Sequence, residues 1–175
     1  MREKSRVLIF TGDGKGKTTA ALGMALRASG HGLRTLILQF IKANPSTGEL
    51  IALQHLPGVK IIQMGRGFTP PAEDPAFSEH RKSAQDALQT ALKALQSKRY
   101  DLIILDEICT AVGKGLLDEG QVVEFINQGN ENSCIVLTGR GATDRLISMA
   151  DTVTKMCCLK HGLQEGWPAQ KGVEY

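Results

Sequence analysis

Aromatic side chains are scarce in this chain, at 5% of its residues with a single Trp. That scarcity argues against the stacked aromatic platforms that bind single-stranded nucleic acid or sugars. A strong charge of either sign is missing too: 21 Lys and Arg stand against 18 Asp and Glu, a formal net charge of +3. The longest basic run is Lys98-Arg99, read as a solvated helix end, so a nucleic-acid motor is not favoured. The four cysteines, at positions 109, 134, 157 and 158, form no C-x-x-C pair. Cys157 and Cys158 are expected in a strand, pointing to opposite faces, and all four read as reduced core or surface thiols of a cytoplasmic protein. The four histidines, at 31, 55, 80 and 161, lack ligand spacing, so no zinc site is expected. No apolar run approaches the ~20 residues that span a bilayer. The apolar stretch after MREKSR runs straight into glycines, unlike a signal peptide.

What is present is ordinary globular composition, 42% hydrophobic and 22% charged over 175 residues, which suits one domain spanning 1–175. There are no repeats, low-complexity tracts or long linkers. Val7–Phe10, Thr35–Phe40, Val59–Met64, Leu102–Leu105, Cys134–Leu137 and Thr152–Leu159 read as strands, several almost continuously apolar, as parallel strands covered on both faces are. Between them Thr18–Ser29 reads as a helix closed by Gly30. Pro75–Ser97 is the clearest helix, with Pro75 in its first turn and Ala84, Ala87, Leu88, Ala91, Leu92 and Leu95 on one apolar face. Gln121–Asn127 and Thr143–Ala150 are weaker helices. The β-α alternation implies a doubly wound α/β fold with a mostly parallel sheet and right-handed crossovers. Ligands then belong at the C-terminal ends of the strands.

Glycine, at 19 residues, exceeds the usual ~7%, and the excess is clustered. Thr11-Gly-Asp-Gly-Lys-Gly-Lys-Thr18-Thr19 follows the first strand and opens the first helix. This is the context of the phosphate loop G-x-x-x-x-G-K-[ST], with Gly16, Lys17 and Thr18 in its last three places and Thr11 in its first. Small residues let backbone N–H groups converge on an anion, and the helix adds its positive end. Lys17 would supply charge to phosphate oxygens, and the Thr18 hydroxyl would ligate Mg²⁺. A dinucleotide fingerprint is set aside: its third glycine would fall at Lys17, and Gln39-Phe40 stands where a ribose-binding carboxylate belongs.

A second element, Leu102-Ile-Ile-Leu-Asp106-Glu107, is an apolar strand ending in two carboxylates. They either hold Mg²⁺ opposite Thr18, or are a helix N-cap or a solvated strand end. Thr138-Gly-Arg-Gly141 follows another strand, where Arg140 either meets phosphate or closes a turn. Gly65-Arg-Gly-Phe-Thr-Pro-Pro71 is too rich in Gly and Pro to be regular; Phe68 there is either a plug into the core or a contact for a large apolar ligand. No nucleophile elbow or kinase catalytic loop is found. On these motifs alone an ATPase, a small-molecule kinase or a non-catalytic nucleotide switch stays open.

The pieces, in this order, resemble the phosphate-loop type of cob(I)alamin/corrinoid ATP adenosyltransferase. The likeness covers Val7 to Tyr175 and rests on residues 11–20, Gln39-Phe-Ile-Lys42, Gly48-Glu49, Gly67-Phe-Thr69, Leu105-Asp-Glu107, Thr138–Gly141, Ala150-Asp-Thr-Val153, Lys160-His161 and the ending Ala169–Tyr175. The resemblance implies a RecA-like homodimer that moves the 5′-deoxyadenosyl group of ATP onto reduced corrinoid cobalt and releases triphosphate. An electron-donor flavoprotein is implied as partner, with neither nucleic acid nor membrane. By the motif match, Gly12, Asp13, Gly14, Lys15, Gly16, Lys17, Thr18 and Thr19 hold the triphosphate, joined by Arg140. Thr18 and Glu107, with Asp106 nearby, hold Mg²⁺ or Mn²⁺, and Lys17, Thr18 and Glu107 carry catalysis. Phe68 matches an apolar side chain packed under the corrin, while Pro70 stands where some relatives have a second aromatic. The stretch Met1–Arg6 is expected to be too short for the extra N-terminal helix of some members.

Overall fold

The apolar runs become six strands in which every neighbouring pair is parallel. They are β1 (Arg6–Thr11), β2 (Thr35–Gln39), β3 (Val59–Gln63), β4 (Leu102–Asp106), β5 (Cys134–Thr138) and β6 (Thr152–Lys155). The computed structural model describes residues 4–173. The strand order is β3-β2-β4-β5-β1-β6. Among the described residues six α-helices cover the sheet: α1 (Lys17–Gly30), α2 (Gly48–Leu53), α3 (Phe77–Gln96), α4 (Ile108–Gly113), α5 (Glu119–Asn127) and α6 (Asp144–Met149).

Strand alternation sorts the core into two layers. Leu36, Leu38, Ile103, Leu105, Ile135 and Leu137 pack with Ala84, Ala87, Leu88, Ala91 and Leu95 of α3 and with α4, α5 and α6. Ile37, Leu102, Ile104 and Val136 pack instead with Ala21, Ala25 and Ala28 of α1 and Leu53 of α2. Both faces being covered, β2 and β4 are buried at every residue, which is why they read as unbroken apolar runs.

The chain steps one way across the sheet from β1 to β2 to β3, then the opposite way through β4, β5 and β6. Right-handed crossovers therefore send the connections to opposite faces. β1 and β5 lie side by side but lead to opposite faces, the arrangement that places a ligand crevice at the C-terminal ends of the strands.

Several boundaries differ from expectation. β6 is an edge strand whose only neighbour among the described residues, β1, ends at Thr11 opposite Lys155. The ladder stops there, so Cys157 and Cys158 follow the strand and are exposed rather than lying within it. α1 runs through Gly30, and the left-handed residue that ends it is Gly32, at φ 71°. Pro75 precedes α3 because Asp74 accepts from the N–H groups of Ala76 and Phe77 in a turn before the helix. The short helices α2 and α4 were not anticipated; six residues carry too little periodicity to register. All four cysteines are free, Cys109 in the core and Cys134 half-buried. Among the described residues no helix is long and apolar enough to cross a membrane. Met1 to Glu3, and the last two residues of the expected family ending, Glu174 and Tyr175, lie outside the described residues.

Candidate functional site

Between β1 and α1 the chain makes the loop that the glycines predict. Gly12 and Gly16 have φ of 94° and 105°, conformations that L side chains resist. Gly14 needs its missing side chain for another reason: a Cβ there would stand 2.8 Å from the Cys157 carbonyl carbon. The loop is seated on the segment after β6, with Gly14 N–H donating to the Met156 carbonyl at 2.8 Å. Gly16 occupies the N-cap of α1 and offers no side-chain cap, so the helix presents its first N–H groups and its positive end to an anion. Lys17 is only 8% exposed, and its ammonium donates to the Gly14 carbonyl at 2.6 Å. Burial lowers its pKa; nearby Glu107 opposes that, Arg140 adds to it and Asp13 opposes it. Thr11, in the leading place of the motif, ends β1, and its hydroxyl accepts from Ala142 N–H at 3.2 Å, tying the loop to the segment after β5.

Asp106 ends β4 and is wholly buried. Its Oδ1 accepts from the hydroxyls of Thr18, at 2.8 Å, and Thr138, at 2.7 Å. Its Oδ2 accepts from Gln39 Nε2 at 3.0 Å, with Lys42 Nζ at 4.0 Å. Both oxygens are engaged, so Asp106 works from behind Thr18, accepting the hydrogen bond of its hydroxyl while the hydroxyl's lone pairs stay available. Glu107 has a left-handed backbone, φ 66°, and caps α4; its N–H donates to Thr138 Oγ1 at 2.9 Å. One carboxylate oxygen of Glu107 accepts from the Thr110 hydroxyl. That same hydroxyl accepts from Arg140 N–H at 3.0 Å, and so joins the β4 and β5 loops.

Asp13, Gly14, Lys15, Gly16, Lys17, Thr18, Thr19, Glu107 and Arg140 line one cavity of about 490 Å³. Gly12 and Asp106 are not on its wall: Gly12 packs against Met156, and Asp106 lies beneath Thr18. Phe68 stands apart on the loop after β3, 90% exposed, which removes the core-plug reading. Its ring lies 5.3 Å from Lys114 Nζ. That loop is laid on the β2 exit: Gly67 N–H donates to the Ile41 carbonyl at 2.8 Å. A Cβ on Gly65 would fall 2.1 Å from the Ile41 carbonyl carbon.

Sequence reasoning gave no role to Gln39, Lys42 or Glu49. Gln39 is fully buried and hydrogen-bonded to Asp106, while its own oxygen accepts from Gln63 at 2.9 Å. A polar residue ending an otherwise apolar buried strand at the ligand edge was the available signal. Lys42 and Glu49 pair at 2.8 Å and line the same cavity as the phosphate loop. Burial alone would raise the Glu49 pKa, but the hydrogen bond and charge of Lys42 outweigh it and hold the carboxyl below its usual value.

A glycine loop at the β1 crevice, whose threonine is held by a carboxylate two strands away, defines a phosphate-loop nucleotide-binding domain of the RecA-like type. The solved structure of the flagellar accessory protein FlaH from Methanocaldococcus jannaschii shares this fold, with a TM-score of 0.58 at 10% identity over 89% of this chain and 72% of that one. The sequence is more specific. Residues 3–175 match the family described as ATP:corrinoid adenosyltransferase BtuR/CobO/CobP, and the chain belongs to that family. The corrinoid adenosyltransferase of Pseudomonas aeruginosa is 38% identical over 174 residues, 99% of this chain and 85% of that protein. That of Escherichia coli K12 is 34% identical over 173 residues, 99% of this chain and 87% of the relative.

Proposed function

We propose that this chain transfers the 5′-deoxyadenosyl group of ATP to the cobalt(I) of a corrinoid and releases triphosphate. The observation that carries this reading is the pairing of a phosphate loop with an Asp106-held Thr18, in a chain matched to the family over residues 3–175. The cobalt lone pair attacks C5′, the C5′–O bond breaks, and its electrons leave on the triphosphate. Cobalt(I) is itself the nucleophile, so no proton has to be removed. The protein's work is alignment and stabilisation of charge on the leaving group.

Asp13 and Lys15 to Thr19, on the cavity wall, offer their backbone N–H groups to the triphosphate, while Gly12 and Gly14, the latter's N–H bonded to Met156, shape the loop. Lys17 exchanges its Gly14 carbonyl for phosphate oxygens, and Arg140 approaches from the β5 loop. A divalent cation suits the residues present: the Thr18 proton is committed to Asp106, and Glu107 supplies a hard oxygen at the cavity wall. Among the described residues no cluster of three His, Cys, Asp or Glu could hold a metal. Thr18 and Glu107 would therefore hold Mg²⁺ or Mn²⁺ together with phosphate oxygens, as Mg²⁺ usually is held; bound there it neutralises triphosphate charge. The exposed ring of Phe68 offers an apolar surface to the corrin. By the same family likeness the whole chain 1–175 acts as one domain, in a cytoplasmic homodimer served by an electron-donor flavoprotein.

The test is anaerobic incubation with ATP, Mg²⁺ and chemically reduced cob(I)alamin, followed spectrally for a light-sensitive cobalt–carbon bond and by phosphate chromatography. The reading requires triphosphate in step with the new bond. ADP as the nucleotide product would assign the site to hydrolysis or phosphoryl transfer instead.

A further inference from the structure

Beside the phosphate cavity lies a second one of about 440 Å³, and the two share Lys15 and His161 on their walls. This size falls within the roughly 300–1,000 Å³ of small-ligand pockets. Its wall carries Cys157 and Cys158, both free and exposed. Among the described residues no group of three His, Cys, Asp or Glu could hold a metal. The rest of the wall is basic and apolar: Lys15, Lys160 (itself paired with Glu165 at 2.6 Å), His161 and Trp167.

The segment bearing the thiols is bonded directly to the phosphate loop. Met156 N–H donates to the Thr11 carbonyl and Gly14 N–H to the Met156 carbonyl, each at 2.8 Å. The space between is closed, since a Cβ on Gly12 would come within 2.4 Å of the Met156 oxygen. A group attached to either sulfur therefore stays at the rim of the triphosphate site.

We infer that Cys157-Cys158 is a thiol-modification site for acidic low-molecular-weight disulfides of the glutathione class. One thiolate attacks a sulfur of the small disulfide and a new protein–small-thiol S–S bond forms. The old S–S bond breaks and the displaced thiolate leaves, taking a proton from water; the protein sulfur is oxidised and the departing one reduced. The carboxylates of the adduct sit in the basic cavity next to Lys15 and oppose triphosphate entry into the loop.

The experiment treats the full chain with glutathione disulfide and, in parallel, with neutral hydroxyethyl disulfide, reading adducts by peptide mass spectrometry and ATP affinity by calorimetry. One glutathionyl group is expected on Cys157 or Cys158, added faster than the neutral group and more slowly when ATP–Mg²⁺ is present. The adduct should weaken ATP about tenfold at low ionic strength and less in high salt, reversibly with dithiothreitol. The double variant Cys157→Ser, Cys158→Ser should bind ATP normally and lose the response. Absence of an adduct, an internal Cys157–Cys158 disulfide formed in its place, or an adduct that leaves ATP affinity within twofold would each overturn the inference. The ATP arm rests on the triphosphate reading of the loop, whereas labelling does not. Failure of the unmodified protein to bind ATP would therefore be charged to that reading.

Discussion

Replacing Lys17 by methionine separates catalysis from stability in a way few substitutions here can. The lysine stem is buried, and methionine fills nearly the same volume with an unbranched chain, so packing is kept. The ammonium is a stability cost. Its pKa is lowered in the fold, mainly by burial. A base whose pKa falls on folding is penalised wherever it is charged, which includes neutral pH. Removing it loses the 2.6 Å bond to the Gly14 carbonyl, worth about 1.5–3 kcal/mol for a charged donor, and relieves that penalty. The two oppose each other, so the melting temperature should move by only a few degrees for a chain of this size. The leaving group is another matter. A cation about 4 Å from a phosphate oxygen, at an effective dielectric near 20, contributes about 4 kcal/mol. Loss of a donor aimed at developing charge costs about 3–4 kcal/mol, or 10²–10³ in rate. Turnover of chemically produced cob(I)alamin at saturating ATP should therefore fall by that factor in a protein that melts normally. Turnover within threefold of the parent would refute the leaving-group role of Lys17, and a large fall in melting temperature would refute the electrostatic account of its burial.

Three further outcomes follow from the same geometry. Thr138→Val leaves the Glu107 N–H without its acceptor and takes one donor from Asp106; urea denaturation should show about 1–3 kcal/mol lost, and an unchanged midpoint would mean the loop repacks. Phe68→Ala touches a ring that is 90% exposed, so stability should move by less than about 0.5 kcal/mol, while adenosylation from cob(II)alamin with a reductant slows far more than from preformed cob(I)alamin; equal slowing would dismiss a role under the corrin. Burial pushes the Cys109 thiol from 9.0 to about 12, so the unfolded chain ionises first and stability should fall above pH 9 by up to about 1.4 kcal/mol per pH unit. Cys109→Ala should remove that portion of the slope in alkaline denaturation, and an identical slope in the variant would count against it.

The fold was legible because its physics is local. A parallel strand covered on both faces has to be apolar at successive positions, and Leu102–Leu105 is. A phosphate loop needs small residues at the points where Gly12, Gly14 and Gly16 approach backbone or take positive φ. The partners of Asp106 were not legible, because strand order decides them. Gln39 and Asp106 are register neighbours on β2 and β4, and Thr138 comes from β5 on the other side; residues so far apart in sequence share a carboxylate only once the sheet is assembled. The length of β6 was misread for a related reason. Its apolar run continues past Lys155, but its neighbour β1 does not, and a strand without a ladder is not a strand.

Asp106 and Glu107 show how one backbone conformation separates two roles. Were β4 simply to continue, successive side chains would point to opposite faces of the sheet, and one carboxylate would be lost to the site. Glu107 instead adopts φ 66° and ends the strand at once. The cost of that conformation, about 1–2 kcal/mol for a residue with a Cβ, is opposed locally by its N–H bond to Thr138 and by the Thr110 hydroxyl donated to its carboxylate. The turn leaves Asp106 buried beneath Thr18 while Glu107 reaches the cavity wall, close enough to act on the Lys17 ammonium. One carboxylate thus fixes the orientation of the Thr18 hydroxyl and the other faces the cavity. A site so arranged is suited to a reaction whose nucleophile arrives already activated.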